Sequence, residues 1–180
     1  NHPLAADAFV LLKQILMNAL GLSATFGILV LIFQDGRLEN LLGYTSQGGL
    51  ESTQSLLGSA WVHLARHPEL RDDLATNPEL MGSAVEEMLR FFSPQPGLAR
   101  VATRDTQVGG HSFREGERVF MCWASANRDE EAFERADQFD IRRKPNRHLT
   151  FGAGAHHCLG ANITRLETRI CMDEVLRRLP

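Results

Sequence analysis

Cysteine is scarce in this chain. Three thiols, Cys122, Cys158 and Cys171, in 180 residues are too few and too uneven for a disulfide framework. A sparse, odd set suits a reducing compartment better than secretion, and a cytoplasmic location is expected. Charge of one sign is lacking too: 19 Lys and Arg against 22 Asp and Glu leave a formal net charge of -3. That excludes the basic bias usual in a nucleic-acid binder. No basic stretch precedes an apolar run, so no secretory leader is expected. The most apolar run, Ala19 to Phe33, falls short of the roughly 20 residues that cross a bilayer. A buried helix or a poorly folded stub is the expected form of that run, and a membrane anchor is the rival reading. Internal repeats and low-complexity tracts are absent. The chain opens on Asn1 rather than Met, as a processed chain or a fragment would.

What is present is enough apolar material for one core: 43% hydrophobic residues, with 23% charged residues to solvate a surface. Residues 8–33 read as apolar helices broken near Gly21 and Gly27, followed by a Gln34-Asp35-Gly36 turn. Leucines and Trp61 at three- and four-residue spacing predict a long helix from Leu38 to Arg66, ended by His67-Pro68. Gly48 and Gly49 sit in its middle, where each glycine costs about 1 kcal/mol against alanine. Close approach of another group to the backbone would explain them. A short helix is expected over 69–75. Asn77-Pro78 then reads as an N-cap with proline at the first helical position, opening a helix that runs to Phe92. Leu98–Val108 and Arg118–Trp123 read as strands, with turns at Gly109-Gly110 and Glu115-Gly116. Residues 125–150 look irregular apart from a short helix at 130–135. A glycine loop at 151–160 leads into a last helix over 159–179. The expected class is mainly α with a small β element, divided into an apolar segment 1–40 and a core 41–180.

The sharpest chemical feature is the run from Phe151 through Gly152, Gly154, His156 and Cys158 to Gly160. A cysteine ends a glycine loop and precedes a helix. Glycine lets a flat ligand approach the backbone and permits positive φ. The amides and partial charge of a helix N-terminus favour a thiolate, the form that binds metal. Two other readings stay open: a buried structural cysteine, or a zinc site built from His156, His157 and Cys158. Two further patterns are weaker alone. Glu87 and Arg90, three apart, share one helix face and can pair, as such residues often do on solvated helices. Glu51 and Ser52, behind Gly48-Gly49, set an acid beside an alcohol, a combination that can move protons or simply face water.

Together these patterns resemble the cytochrome P450 family. Phe-Gly-x-Gly-x-His-x-Cys-Leu-Gly is its haem-binding signature, and the match is complete. The resemblance implies that Cys158 is the proximal ligand of a haem b iron and that His156 contacts a haem propionate. It implies a propionate contact for Arg100, which alone would read as an exposed strand arginine. It makes Gly48, Gly49, Glu51 and Ser52 the oxygen-activation motif, with serine where the family usually has threonine. It makes Glu87 and Arg90 two members of a structural trio whose third member is Arg143; the arginine often found just before Phe139 is replaced by Gln138. The segments 126–129 and 146–151 match soluble bacterial members.

The implied fold is the C-terminal core of the P450 fold, truncated: a long oxygen-activation helix, the Glu-x-x-Arg helix, a β hairpin, the haem loop and a final helix. Complete members are much longer, with most of the difference N-terminal, so turnover by this short chain is left open. The implied function is a haem-thiolate monooxygenase that inserts one atom of dioxygen into an apolar small-molecule substrate. Electrons would come from a ferredoxin or flavoprotein, with Arg142, Arg143 and Lys144 offering it a basic patch. Neither nucleic acid nor membrane is expected as a partner. The alternatives are a peroxide-dependent relative and a non-catalytic haem-binding module.

Overall fold

Pro68 cannot continue a helix with its predecessor in helical geometry, and the structure breaks there. The computed structural model describes residues 39–178, with the surroundings of Gly49 and the side chains from Glu51 onward. Helix α1 runs Glu39–Arg66 and α2 Pro68–Thr76. The apolar segment expected over residues 8–33 lies outside the described residues. Backbone contacts divide the chain into units 1–47 and 48–180.

Asn77 takes the expected cap position ahead of Pro78, but makes no side-chain cap bond. The Asn77 side chain turns back instead, donating from Nδ2 to the Asp73 carbonyl and to Asp73 Oδ1 at 2.8 Å. A 3₁₀ turn, Pro78–Leu80, therefore intervenes before α3, Met81–Phe92. Helix α3 is strongly amphipathic. It buries Met81, Ala84, Val85, Met88 and Leu89 against Leu56, Ala60 and Leu64 of α1, Leu74 of α2, and Ile141. Met172 and Leu176 of the last helix, α5 (Ala161–Arg178), complete this core. Helix α3 ends at Ser93, whose φ of 41° takes the chain out of the helix.

The segment expected as one strand over 98–108 is two. Strand β1, Gly97–Val101, pairs antiparallel with β4, Arg118–Cys122, placing Arg100 opposite Val119. Strand β2, Thr106–Val108, instead folds on β3, His111–Phe113, through Gly109-Gly110. Both turn glycines have positive φ, which suits a tight hairpin and redirects the chain locally. Gly97 has a steric role, since a Cβ there would meet the Met121 carbonyl oxygen at 2.2 Å. A single helical turn, α4, Trp123–Ala126, follows β4.

The short helix expected at 130–135 is a run of turns. The Asp129 side chain accepts from the Glu131 amide, and Arg135 takes a φ of 52° that no helix continues. Among the described residues no helix is long and apolar enough to cross a membrane.

Candidate functional site

Glu87 and Arg90 lie on the inward face of α3, and both are fully buried. A buried charge is tolerated only when paired and hydrogen-bonded, and here every polar atom of the pair is used. Arg90 Nε donates to Glu87 Oε2 and Nη2 to Oε1, both at 2.8 Å. Arg90 also donates from Nη1 to the carbonyls of Asn127 and Ala136, and from Nη2 to that of Gln138. Arg143 approaches the same carboxylate, its Nε 3.1 Å from Oε2. Its guanidinium further donates to the carbonyls of Glu134, Arg135 and Gln138. The Asp140 amide and Asn146 Nδ2 fill the remaining positions on Glu87. Gln138 contributes its backbone oxygen to both arginines. The irregular segment 127–146 is thus wrapped around two guanidinium groups.

This placement removes Arg143 from the basic patch expected for an electron donor, because its charge is spent inside the protein. Arg142 is paired with Asp73, and its Nη2 donates to Asp73 Oδ1 at 2.9 Å. Lys144 alone of the three is exposed with no partner charge among the described residues.

Glu86, the neighbour of Glu87, points elsewhere on the helix. Arg165 of α5 grips it with Nε at 2.7 Å and Nη2 at 3.1 Å. His148 Nε2 lies 3.1 Å from Glu86 Oε2. Burial pushes the Glu86 carboxyl up, but the His148 and Arg165 hydrogen bonds outweigh it and leave the group at about 2. Asn127, fully buried, is a further hub. Its Nδ2 donates to Ser93 Oγ and Thr150 Oγ1, and its Oδ1 accepts from the Leu149 amide at 2.7 Å. Sequence reasoning had given neither Glu86 nor Asn127 a role.

These anchors hold the stem of the glycine loop. The Cys158 amide donates to the Phe151 carbonyl at 2.9 Å, closing the loop upon itself. Gly152 and Gly154 have φ of 68° and 69°, where a side chain is strained. His156 lies in a 3₁₀ turn, Gly154–His156, and is exposed, as is His157. The Cys158 thiol is exposed, and a Cβ on Gly160 would sit 3.9 Å from its sulfur. Helix α5 starts at Ala161, two residues later than expected. A structural, buried cysteine is therefore not what the chain has at 158. His156, His157 and Cys158 are not grouped to hold a metal ion together, which removes the zinc reading.

The other singled-out residues lie apart from these bonds. Arg100 is exposed on β1 and donates from Nη1 to the carbonyl of its neighbour Ala99. Gly48 and Gly49 lie within α1; Gly49 is exposed, with open space where a Cβ would stand. Glu51 is exposed and Ser52 half-buried on the next turn. Thr53, beside them, is buried with its hydroxyl unpartnered.

The donor chemistry of the loop fits a haem iron. It offers one exposed thiol, on a loop whose Gly154 has nothing within 4 Å of a Cβ position, which leaves room for a flat ring. The comparisons agree with this mainly helical architecture and its thiol-bearing loop. The sequence model of the family described as Cytochrome P450 matches residues 33–179. The chain is 47% identical over 132 residues to cytochrome P450 YjiB of Bacillus subtilis, covering 73% of this chain and 33% of that protein. It is 43% identical over 133 residues to the steroid C26-monooxygenase of Mycolicibacterium smegmatis, covering 74% and 33%. The crystal structure of CYP109B1 from Bacillus subtilis superposes with a TM-score of 0.75 at 44% identity, covering 78% of this chain and 38% of that one. The chain belongs to the cytochrome P450 family. It spans about a third of the length of the curated relatives it matches.

Proposed function

We propose that this chain is the haem-binding core of a haem-thiolate monooxygenase, acting on an apolar organic substrate with dioxygen and an electron donor. The observation that carries the reading is the exposed Cys158 thiol on a closed glycine loop whose stem is tied to the buried core. Cys158 would hold the iron of haem b, and the exposed side chains of His156 and Arg100 would meet its propionates. When bound, haem supplies the electron transfer and oxygen chemistry that no side chain offers. Gly48 and Gly49 would let a ligand approach the α1 backbone, and Gly49 has open space where a Cβ would stand. Glu51, exposed, and Ser52, half-buried, would hold and move protons on one turn of that helix. The buried Glu87, Arg90 and Arg143 cluster would keep segment 127–146, which leads into the loop, rigid. A ferredoxin or flavoprotein is the electron donor this reading calls for, and a cytoplasmic location goes with it.

The test is the carbon monoxide difference spectrum of the reduced, haem-reconstituted chain. A Soret band at the position of thiolate-ligated haem is expected, and Cys158→Ser should abolish it while the fold remains. Failure to take up haem, or a band of neutral-thiol or histidine ligation in the unsubstituted chain, would overturn the proposal.

A further inference from the structure

Glu86, His148 and Arg165 form a cluster outside the Glu87 trio, and its chemistry is directed at the loop. Arg165 bonds both oxygens of Glu86 and also lies over the Phe151 ring, its Cζ 4.7 Å from the centroid. His148 packs against the same ring, with centroids 5.8 Å apart. The Phe151 carbonyl is the acceptor of the Cys158 amide. The Thr150 amide donates to His148 Nδ1 at 3.3 Å, so that ring carries its proton on Nε2, facing Glu86. The His148 side chain is 2% exposed, so this donor has no competing water. One carboxylate on α3 thereby fixes a histidine before the loop and an arginine after it, and both clasp the residue that closes the loop.

We propose that Glu86, His148 and Arg165 are positioning residues that set the orientation of the Cys158 loop by clamping Phe151. Among the described residues Cys158 has no side-chain partner that orients it. Its sulfur follows the backbone, and that backbone follows Phe151. A guanidinium suits the task because its planar fork can hold a carboxylate with two donors while its face covers an aromatic ring. A lysine has neither the fork nor the flat face. The consequence for metal binding rests on the haem-thiolate reading, whereas the clamp on the backbone does not.

The test is amide hydrogen exchange of the haem-free full chain, resolved by peptide, for Glu86→Gln and Arg165→Lys. Exchange over 149–158 is expected to rise about tenfold in both, while α3 and residues 136–146, held by Glu87, keep their protection. Unchanged exchange over 149–158 in the two variants would overturn the proposal. Should Glu86→Gln lose protection everywhere, Arg165→Lys, which keeps the cation, decides alone. The second readout is the reduced carbon monoxide spectrum, where both variants should take up haem yet shift from the thiolate band toward the neutral-thiol band. A purely structural role would lower the melting temperature and leave the ratio of bands fixed, and that result also overturns the clamp. If the unsubstituted chain shows no thiolate band, the haem reading fails and the exchange result still judges the clamp.

Discussion

Arg143 Nε lies 3.1 and 3.2 Å from the two carboxylate oxygens of Glu87, although 56 positions separate the residues in the chain. Arg90 occupies the other edge of that carboxylate, so one anion balances two buried cations. Glu87→Gln would leave Arg90 and Arg143 without a countercharge in the core. Breaking a buried pair from one side costs about 3–5 kcal/mol. The urea midpoint of Glu87→Gln should drop accordingly, and the variant should populate the unfolded state under mild conditions. Arg143→Lys should cost less, because its charge survives while the carbonyls of Glu134, Arg135 and Gln138 lose their fork. A midpoint for Glu87→Gln within error of the unsubstituted chain would mean that the cluster carries no stability.

Helix α3 shows what the sequence could and could not reveal. Asn77-Pro78 marked where it opens, and three-residue spacing put Glu87 beside Arg90. Spacing alone could not supply Arg143, because nothing local links residues 56 apart; only the family resemblance nominated it. Glu86 was passed over because adjacent positions on a helix point about 100° apart, and one of two neighbouring acids reads as solvated. The signal for it lay in Arg165 and His148, whose side chains meet it only after α5 folds back on α3. Asn127 escaped for a similar reason, since an asparagine in a turn-rich stretch looks like a turn residue. Strand pairing was equally hidden. Residues 98–108 have strand-like character throughout, yet only the Gly109-Gly110 hairpin decides that 106–108 leave β1 for β3.

Glu86 also predicts an acid dependence of stability. Its carboxyl sits at about 2 in the folded chain against an ordinary 4.5. A depressed folded value stabilises the folded state fully above the ordinary value, and that contribution is lost as pH falls toward about 2. The unfolding free energies of the unsubstituted chain and Glu86→Gln should therefore differ most above pH 4.5. The gap should close progressively below that pH. Chemical denaturation at a series of acidic pH values measures it, and a gap that stays constant down to pH 2 would show that Glu86 gains nothing from His148 and Arg165.

Gly154 and Gly49 should respond to alanine in opposite directions. Neither meets a heavy atom within 4 Å of its Cβ position, so packing does not separate them. Backbone conformation does. Gly154 has a φ of 69°, where a Cβ costs roughly 1–2 kcal/mol, and Gly154→Ala should lower the stability of the haem-free chain by about that much. Gly49 is exposed within α1, where alanine is favoured by about 1 kcal/mol, and Gly49→Ala should raise stability. If Gly49 keeps the helix open for a ligand, the stabilised variant should nonetheless bind haem or substrate less well. Thermal unfolding of the haem-free variants reads the first effect and haem titration the second. Gain of stability with unaltered ligand uptake would remove Gly49 from the site and leave its glycine without a functional reason.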